Sequence, residues 1–287
     1  MNDLCDIGKA NFRDFKEIPF ITVVGKRRSG KTVASIFVLS ELIERYTRVS
    51  VMVGNKHNRM EWSPHVPPLF VVEKSIKYVT GIRNFQEALC DGMDTDKIPR
   101  SKQLCLIIDD CGSDIKFMKH PIMRDLSSNA RHYGITLIFI CQYFNQLEVS
   151  VRHQIDYLLL AGVPNQTTID KLHAEFGGSN TDARIFRHAL SVACSQHSIC
   201  VLDNTGDGLR LQDVMSYKKI PWPLPFKELG TKQMWEFSQK HCLQPVRYTP
   251  TGPRDSEEDE EDPGSETAGP DRVVFTDRRG TVVIRRV

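Results

Sequence analysis

Apolar residues along the chain come in short unbroken runs separated by longer stretches in which they recur every three or four positions. The runs Phe20–Val24, Val49–Val53, Leu69–Val72, Leu104–Ile108, Ile135–Cys141, Tyr157–Ala161 and Ser198–Leu202 are rich in β-branched and aliphatic side chains. Four to seven such residues without polar alternation predict strands buried on both faces. Between them, Thr32–Arg45 carries Ile36, Leu39, Leu42 and Ile43 on one helical face, and Ile82–Asp91, Ile122–His132, Thr167–Glu175 and Thr181–Val192 also predict helices. Asn55–Pro68 is rich in Pro and Asn and is expected to be a loop. Strands alternating with helices predict an α/β fold with a mainly parallel central sheet flanked by helices, closed by the strand at Ser198–Leu202.

The ends differ from the middle. Residues 1–17 are polar and form an expected N-terminal segment ahead of a domain spanning 18–244, with a last helix at Lys227–His241. Residues 245–271 are rich in Pro, Gly, Ser and acid, including seven carboxylates between Asp255 and Asp262, and predict a disordered linker. The basic tail 272–287 alternates around Asp277-Arg278-Arg279-Gly280 and predicts a small hairpin.

A formal net charge of +2 conceals this asymmetry, because the acidic run leaves the remainder more basic and compatible with a nucleic-acid partner. Eight cysteines include no Cys-x-x-Cys pair, and the nine histidines form no zinc-binding pattern. Both points favour a reducing compartment over a disulfide framework or a zinc centre. No apolar run reaches the roughly 18 residues of a membrane span. The expected location is inside a cell.

The chemistry begins where the first strand ends. Gly25-Lys26-Arg27-Arg28-Ser29-Gly30-Lys31-Thr32 is a Gly-x-x-x-x-Gly-Lys-Thr phosphate loop between a strand and an amphipathic helix. Its glycines allow a tight turn with inward-pointing N–H groups, Lys31 reaches the β- and γ-phosphates of ATP, and the Thr32 hydroxyl ligates Mg2+. The most hydrophobic strand ends on Asp109-Asp110. Ligands of open α/β sheets bind at the carboxyl edge, so Asp109 is expected to hold the metal and Asp110 to orient and deprotonate water. The expectation is that the loop strand and the acidic strand lie side by side. A second apolar strand ends at Gln142, an amide suited to sensing the γ-phosphate or the lytic water. Arg131 and Arg152 flank that strand and are candidates for the cation that stabilises phosphoryl transfer, in particular from a neighbouring subunit.

The ordered set resembles the FtsK-HerA superfamily, and within it the poxvirus-type virion-packaging ATPases of large DNA viruses. The resemblance rests on Val24–Thr32, the Asp109-Asp110 strand, Ala130-Arg131-His132-Tyr133-Gly134-Ile135-Thr136 leading to Gln142, Val151-Arg152-His153-Gln154-Ile155-Asp156-Tyr157, Val201-Leu202-Asp203-Asn204, and Tyr217-Lys218. It spans about residues 18 to 220. It implies an ATPase that works as a homo-oligomeric ring translocating double-stranded DNA into a capsid. Capsid, portal or membrane-associated virion proteins are the further partners it leaves open, at an assembly site in host cytoplasm or nucleus. It also implies that Lys31 and Thr32 bind nucleotide and magnesium, Asp109 the metal, Asp110 the lytic water, and that Gln142 acts as sensor. An Asp in place of the superfamily's usual Glu sets the base one methylene back, which favours slow or gated hydrolysis. DNA-gripping loops are expected among the basic residues of Lys56–Arg59 and Lys116–Lys119. A nucleoside or nucleotide kinase, and a non-motor regulatory NTPase, remain as alternatives. Neither an Arg-rich lid nor an Asn-Lys-x-Asp guanine motif at a suitable place supports them.

Overall fold

The computed structural model describes residues 7–241 apart from 178–180, 207, 209 and 226, and the backbone of 244–247, 272–276 and 282–286. The strands are β1 (Gly8–Lys9), β2 (Phe20–Val24), β3 (Arg48–Val53), β4 (Val71–Glu73), β5 (Leu104–Asp109), β6 (Ile135–Cys141), β7 (Tyr157–Leu160), β8 (Ser198–Asp203) and β9 (Met215–Lys219). Among the described residues these form a nine-stranded sheet in the order β1-β9-β8-β7-β2-β6-β5-β3-β4. The helices α1 (Lys31–Glu41), α2 (Lys56–Trp62), α3 (Ile76–Cys90), α4 (Ile115–Met118), α5 (Pro121–Asn129), α6 (Val149–Arg152), α7 (Gln166–Phe176) and α8 (Ala183–Ala193) intervene.

Every residue of β2, β5, β6 and β7 is buried. The period of two distributes them between two cores. Leu104, Leu106 and Ile108 of β5, with Leu137 and Phe139 of β6, pack with Leu126 of α5, Leu172 of α7 and Phe186 of α8. Cys105 and Ile107, with Ile138 and Ile140, face Ile36, Val38 and Leu39 of α1. The result is the α/β sandwich expected from the apolar runs, mainly parallel across β7-β2-β6-β5-β3-β4.

Four features depart from the sequence reading. First, β8 does not close the sheet: it runs antiparallel to β7, and β9 continues beyond it, again antiparallel. Second, the polar N-terminal segment contributes β1, which pairs in parallel with β9 at the edge. Third, β2 and β5 are not neighbours, because β6 is inserted between them and pairs with both. Fourth, the region expected to be a loop at Asn55–Pro68 opens with helix α2, capped by Asn55, whose side chain accepts the Asn58 N–H.

A second, three-stranded antiparallel sheet joins Gln244–Arg247, Arg272–Thr276 and Val282–Arg286. Beyond residue 247, the expected linker up to residue 271 lies outside the described residues.

Candidate nucleotide site

Three parallel strands, β2, β6 and β5, end at the same edge of the sheet and deliver the phosphate loop, Gln142 and the acidic pair together. The loop leaves β2 at Gly25, whose N–H donates to the Cys141 carbonyl at 3.3 Å and so ties it to the tip of β6. Gly30 enters α1 with φ of 81°, a left-handed conformation that a Cβ would penalise. No side chain caps the α1 N-terminus, so the first-turn N–H groups remain for an external anion. Ser29 Oγ is buried without a hydrogen-bond partner. Both observations fit phosphate oxygens. Lys26, Arg27 and Arg28 are exposed along the outer side of the loop. The Lys31 ammonium donates to the Lys26 carbonyl at 2.9 Å, and Thr32 follows half-buried in the first turn. Burial depresses the Lys31 pKa, while the nearby negative charges of Asp109 and Asp110 act in the opposite direction.

Asp109 is buried at the end of β5. Burial pushes its pKa up to about 6; the Trp62 indole opposes this by donating Nε1–H to Asp109 Oδ2 at 2.8 Å, and the charges of Asp110 and Glu61 add to the rise. A carboxylate so poorly solvated, at the sheet edge where the phosphate loop brings Thr32, offers oxygen donors suited to a hard divalent cation.

Asp110 leaves the strand with φ of 53°. Its N–H donates to the Ile140 carbonyl at 3.0 Å, and its Oδ1 accepts from Gln142 Nε2 at 3.0 Å. Its Oδ2 accepts from Asn55 Nδ2 at 3.4 Å. Gln146 Oε1 fixes the base of this tip by accepting the N–H groups of Gln142 and Tyr143 at 3.0 and 3.1 Å. On the other flank Gly54 admits the backbone of Asp110 so closely that a Cβ there would lie 2.2 Å from the Asp110 carbonyl oxygen.

Lys31, Thr32, Asp109, Asp110 and Gln142 are therefore brought together, and the two arginines are not. Arg131 is exposed just before β6, at the amino edge of the sheet. The seven residues of β6 separate it from Gln142 by roughly 20 Å. Within its own chain it does not reach the loop. Arg152 is 11% exposed, pairs with Glu175 at 2.9 Å and lies over the Phe144 ring at 4.9 Å. Those contacts engage it within its own chain, away from the phosphate loop. Of the expected DNA-gripping residues, Lys56, Lys116 and Lys119 are exposed, whereas Arg59 is buried and faces Glu73 at 3.7 Å.

Trp62, Asn55, Gly54 and Gln146 belong to the site but were not expected from the sequence. Asn55 carries a readable signal, since it is an amide just beyond an apolar strand, as Gln142 is. Trp62 carries none.

Comparison with known families decides the relationship. The family described as Poxvirus A32 protein matches residues 9–203, more than half of the chain. The chain belongs to the poxvirus A32 protein family. All the site residues named above lie within the matched span. Among relatives of this A32 family member, an uncharacterized protein of Frog virus 3 (isolate Goorha) is 24% identical over 223 residues, 76% of this chain and 67% of that one. An uncharacterized protein of Acanthamoeba polyphaga mimivirus is 24% identical over 209 residues, covering 70% and 72% respectively. Among solved structures, the genome packaging NTPase of Sulfolobus turreted icosahedral virus 2 in complex with ATP-gammaS has a TM-score of 0.47 at 14% identity, over 71% of this chain and 98% of that one. The pCW3 conjugation coupling protein TcpA with ATPgS has a TM-score of 0.47 at 13% identity, over 70% and 60%. No helix among the described residues is long and apolar enough to cross a membrane.

Proposed function

We propose that this chain is an ATPase that drives double-stranded DNA into a viral capsid. The observation that carries the reading is the meeting of Lys31, Asp109, Asp110 and Gln142 at one sheet edge, in a chain of the A32 family.

The geometry supports the following division of labour. Loop N–H groups and the Lys31 ammonium take the phosphates, exchanging the Lys26 carbonyl for phosphate oxygens. Thr32 and Asp109 are the residues that would hold Mg2+, which would draw charge from the phosphates when bound. Asp110 accepts the proton of the attacking water as its oxygen adds to the γ-phosphorus and the bond to the β-phosphate breaks, leaving ADP and phosphate. Gln142 donates to Asp110 and senses occupancy of the γ-position.

Arg131, on the edge away from its own loop, is free to serve a neighbouring subunit, which supports a ring with shared sites. Lys56, Lys116 and Lys119 surround the same edge as the acidic pair and suit a DNA backbone gripped without reading sequence. The reading places the protein at a viral assembly site, with capsid or portal proteins as further partners.

The test is ATP turnover with and without duplex DNA, for wild type and Lys31→Ala. Stimulation by DNA in the wild type, lost in a variant that melts normally, is the expected result. Phosphate transfer to a nucleoside, or turnover indifferent to DNA, would overturn the reading.

A further inference from the structure

Beside the phosphate loop lies a pair of thiols for which the hydrolysis described above has no use. Cys194 caps the C-terminus of α8, and Cys200 lies in β8. Between them Gln196 and His197 have φ of 52° and 60°, and the Ser198 N–H donates to the Ser195 carbonyl at 2.9 Å. Two successive left-handed residues closed by that bond make a primed turn, which folds the end of α8 back over the start of β8. The turn brings Cys194 Sγ into hydrogen-bonding contact with the Cys200 thiol. The Cys194 thiol also donates to the Leu160 carbonyl at 3.7 Å, and Leu160 is the residue of β7 that pairs with Cys200.

Among the described residues Cys194 is the cysteine that is partly exposed, and Cys90, Cys105, Cys111, Cys141 and Cys200 are buried. Burial pushes the thiols of Cys90, Cys105, Cys111 and Cys141 up, which keeps them inert. Cys194 goes the other way: the hydrogen bond from Cys200 lowers its pKa against the effect of burial, and the backbone at Cys200 and Gly162 adds to the fall. The same hydrogen bond, together with burial, raises Cys200. The accessible sulfur is thus the nucleophile, and its enclosed neighbour is placed to resolve it. The strand end that Cys194 touches also borders the nucleotide site. Ala161, next after Leu160, donates its N–H to the Val24 carbonyl at 2.8 Å. A Cβ on Gly25 would stand 2.6 Å from the Ala161 carbonyl oxygen, so the first glycine of the loop turns against this wall.

We propose that Cys194 and Cys200 form an oxidative modification site, at which a hydroperoxide converts the two thiols to a disulfide that shifts the end of β7 and weakens nucleotide binding at the adjoining loop. With hydrogen peroxide, the Cys194 sulfur attacks one peroxide oxygen and the O–O bond breaks. This leaves a sulfenic acid, and the departing oxygen takes up the thiol proton as one water. The Cys200 sulfur then attacks the Cys194 sulfur, the S–O bond breaks, and that oxygen leaves with the Cys200 proton as a second water. Two thiol sulfurs are oxidised and both peroxide oxygens are reduced. The new bond takes from the Leu160 carbonyl its Cys194 donor and draws the end of α8 onto β8. A thiol reductant reverses the change, and a transient disulfide of this kind is the sort that occurs in a reducing compartment. The effect on binding rests on the reading of Gly25–Thr32 as an ATP site; the chemistry of the pair does not.

The experiment treats the full-length protein with hydrogen peroxide, maps its cysteines by mass spectrometry and titrates it with a nonhydrolysable ATP analogue. Wild type is expected to yield a Cys194–Cys200 link, two hydrogens lighter than the thiols. It is also expected to bind the analogue roughly 10- to 100-fold more weakly, the size of one lost hydrogen bond to a charged phosphate. Dithiothreitol restores both. Cys194→Ser keeps the untreated affinity and shows neither change. Cys200→Ser, which leaves the nucleophile without its resolving partner, accumulates a sulfenic acid at Cys194 that dimedone traps. Cys194 left unmodified, Cys194 linked to a different cysteine, or a loss of affinity that persists in Cys194→Ser overturns the inference. A Cys194–Cys200 link that leaves affinity unchanged overturns the coupling to the loop. A wild type that binds no analogue before treatment overturns the ATP-site reading instead, while the mapped link still establishes the modification site.

Discussion

Trp62 and Asp109 lie 47 residues apart in the chain and share a buried hydrogen bond of 2.8 Å. Among the described residues the indole is the side-chain donor to this enclosed carboxylate, and it ties α2 to the end of β5. Burial still dominates, and the Asp109 pKa stays at about 6.

That elevation has a sign that can be checked on the nucleotide-free protein. The folded pKa lies above the ordinary value of 3.8, so the folded state holds the proton more tightly than the unfolded chain. Asp109 contributes most to stability below pH 4, and that contribution falls as the pH rises to about 6, where it levels off. Asp109→Asn removes the charge while leaving an oxygen for Trp62. It is expected to stabilise the protein by about 3 kcal/mol at pH 8 and by about half as much at pH 5, while abolishing turnover. Thermal melting at the two pH values is the measurement. Equal shifts at both would contradict the assignment.

Gly54→Ala puts a methyl group against the Asp110 carbonyl, where a Cβ would sit 2.2 Å away. The backbone of β5 must move at the catalytic tip. The expected outcome is a stability loss of about 1–3 kcal/mol and loss of hydrolysis, with nucleotide affinity retained because the phosphate loop is on another strand. Calorimetric titration with a nonhydrolysable ATP analogue, alongside turnover, separates binding from chemistry.

Gln142→Ala removes the 3.0 Å donor to Asp110 but leaves the main-chain bonds to Gln146 intact. Turnover number is expected to fall by roughly 10- to 100-fold with little change in KM for ATP, the signature of a contact that matters in the transition state. A raised KM with unchanged turnover number would instead make Gln142 a simple binding residue.

The two arginines should part company. Arg152→Ala leaves Glu175 without its partner in a mostly enclosed setting and is expected to cost about 1–3 kcal/mol, read from chemical denaturation. Arg131→Ala should melt like wild type, yet inactivate neighbours when mixed into wild-type assemblies more steeply than simple dilution. A linear fall in activity with mixing ratio would deny Arg131 a role across subunits.

What could be read from the sequence was what is local. The phosphate loop is eight consecutive residues, and Asp109 and Gln142 end apolar runs, so strand direction alone carries them to one edge. Asn55 obeys the same rule at the end of β3, but a region rich in Pro and Asn disguised the helix it caps. Trp62 reaches the site only through the packing of that helix, which no spacing along the chain encodes. The antiparallel placement of β8 escaped for a similar reason: a fully apolar run reads alike in either direction. Arg152 looked free because neither Phe144 nor Glu175 is marked as its partner by sequence distance.

The insertion of β6 between β2 and β5 sets a fixed gauge for the reaction. Neighbouring strands are about 4.8 Å apart, so the ends of β2 and β5, from which the loop and the acids depart, stand roughly 10 Å from each other, with the Gln142 strand halfway across. On the proposed reading, a triphosphate held by the loop would extend its terminal group toward that midline, and a diphosphate, one link shorter, would stop before it. The strand order would then let a single amide tell the two chain lengths apart.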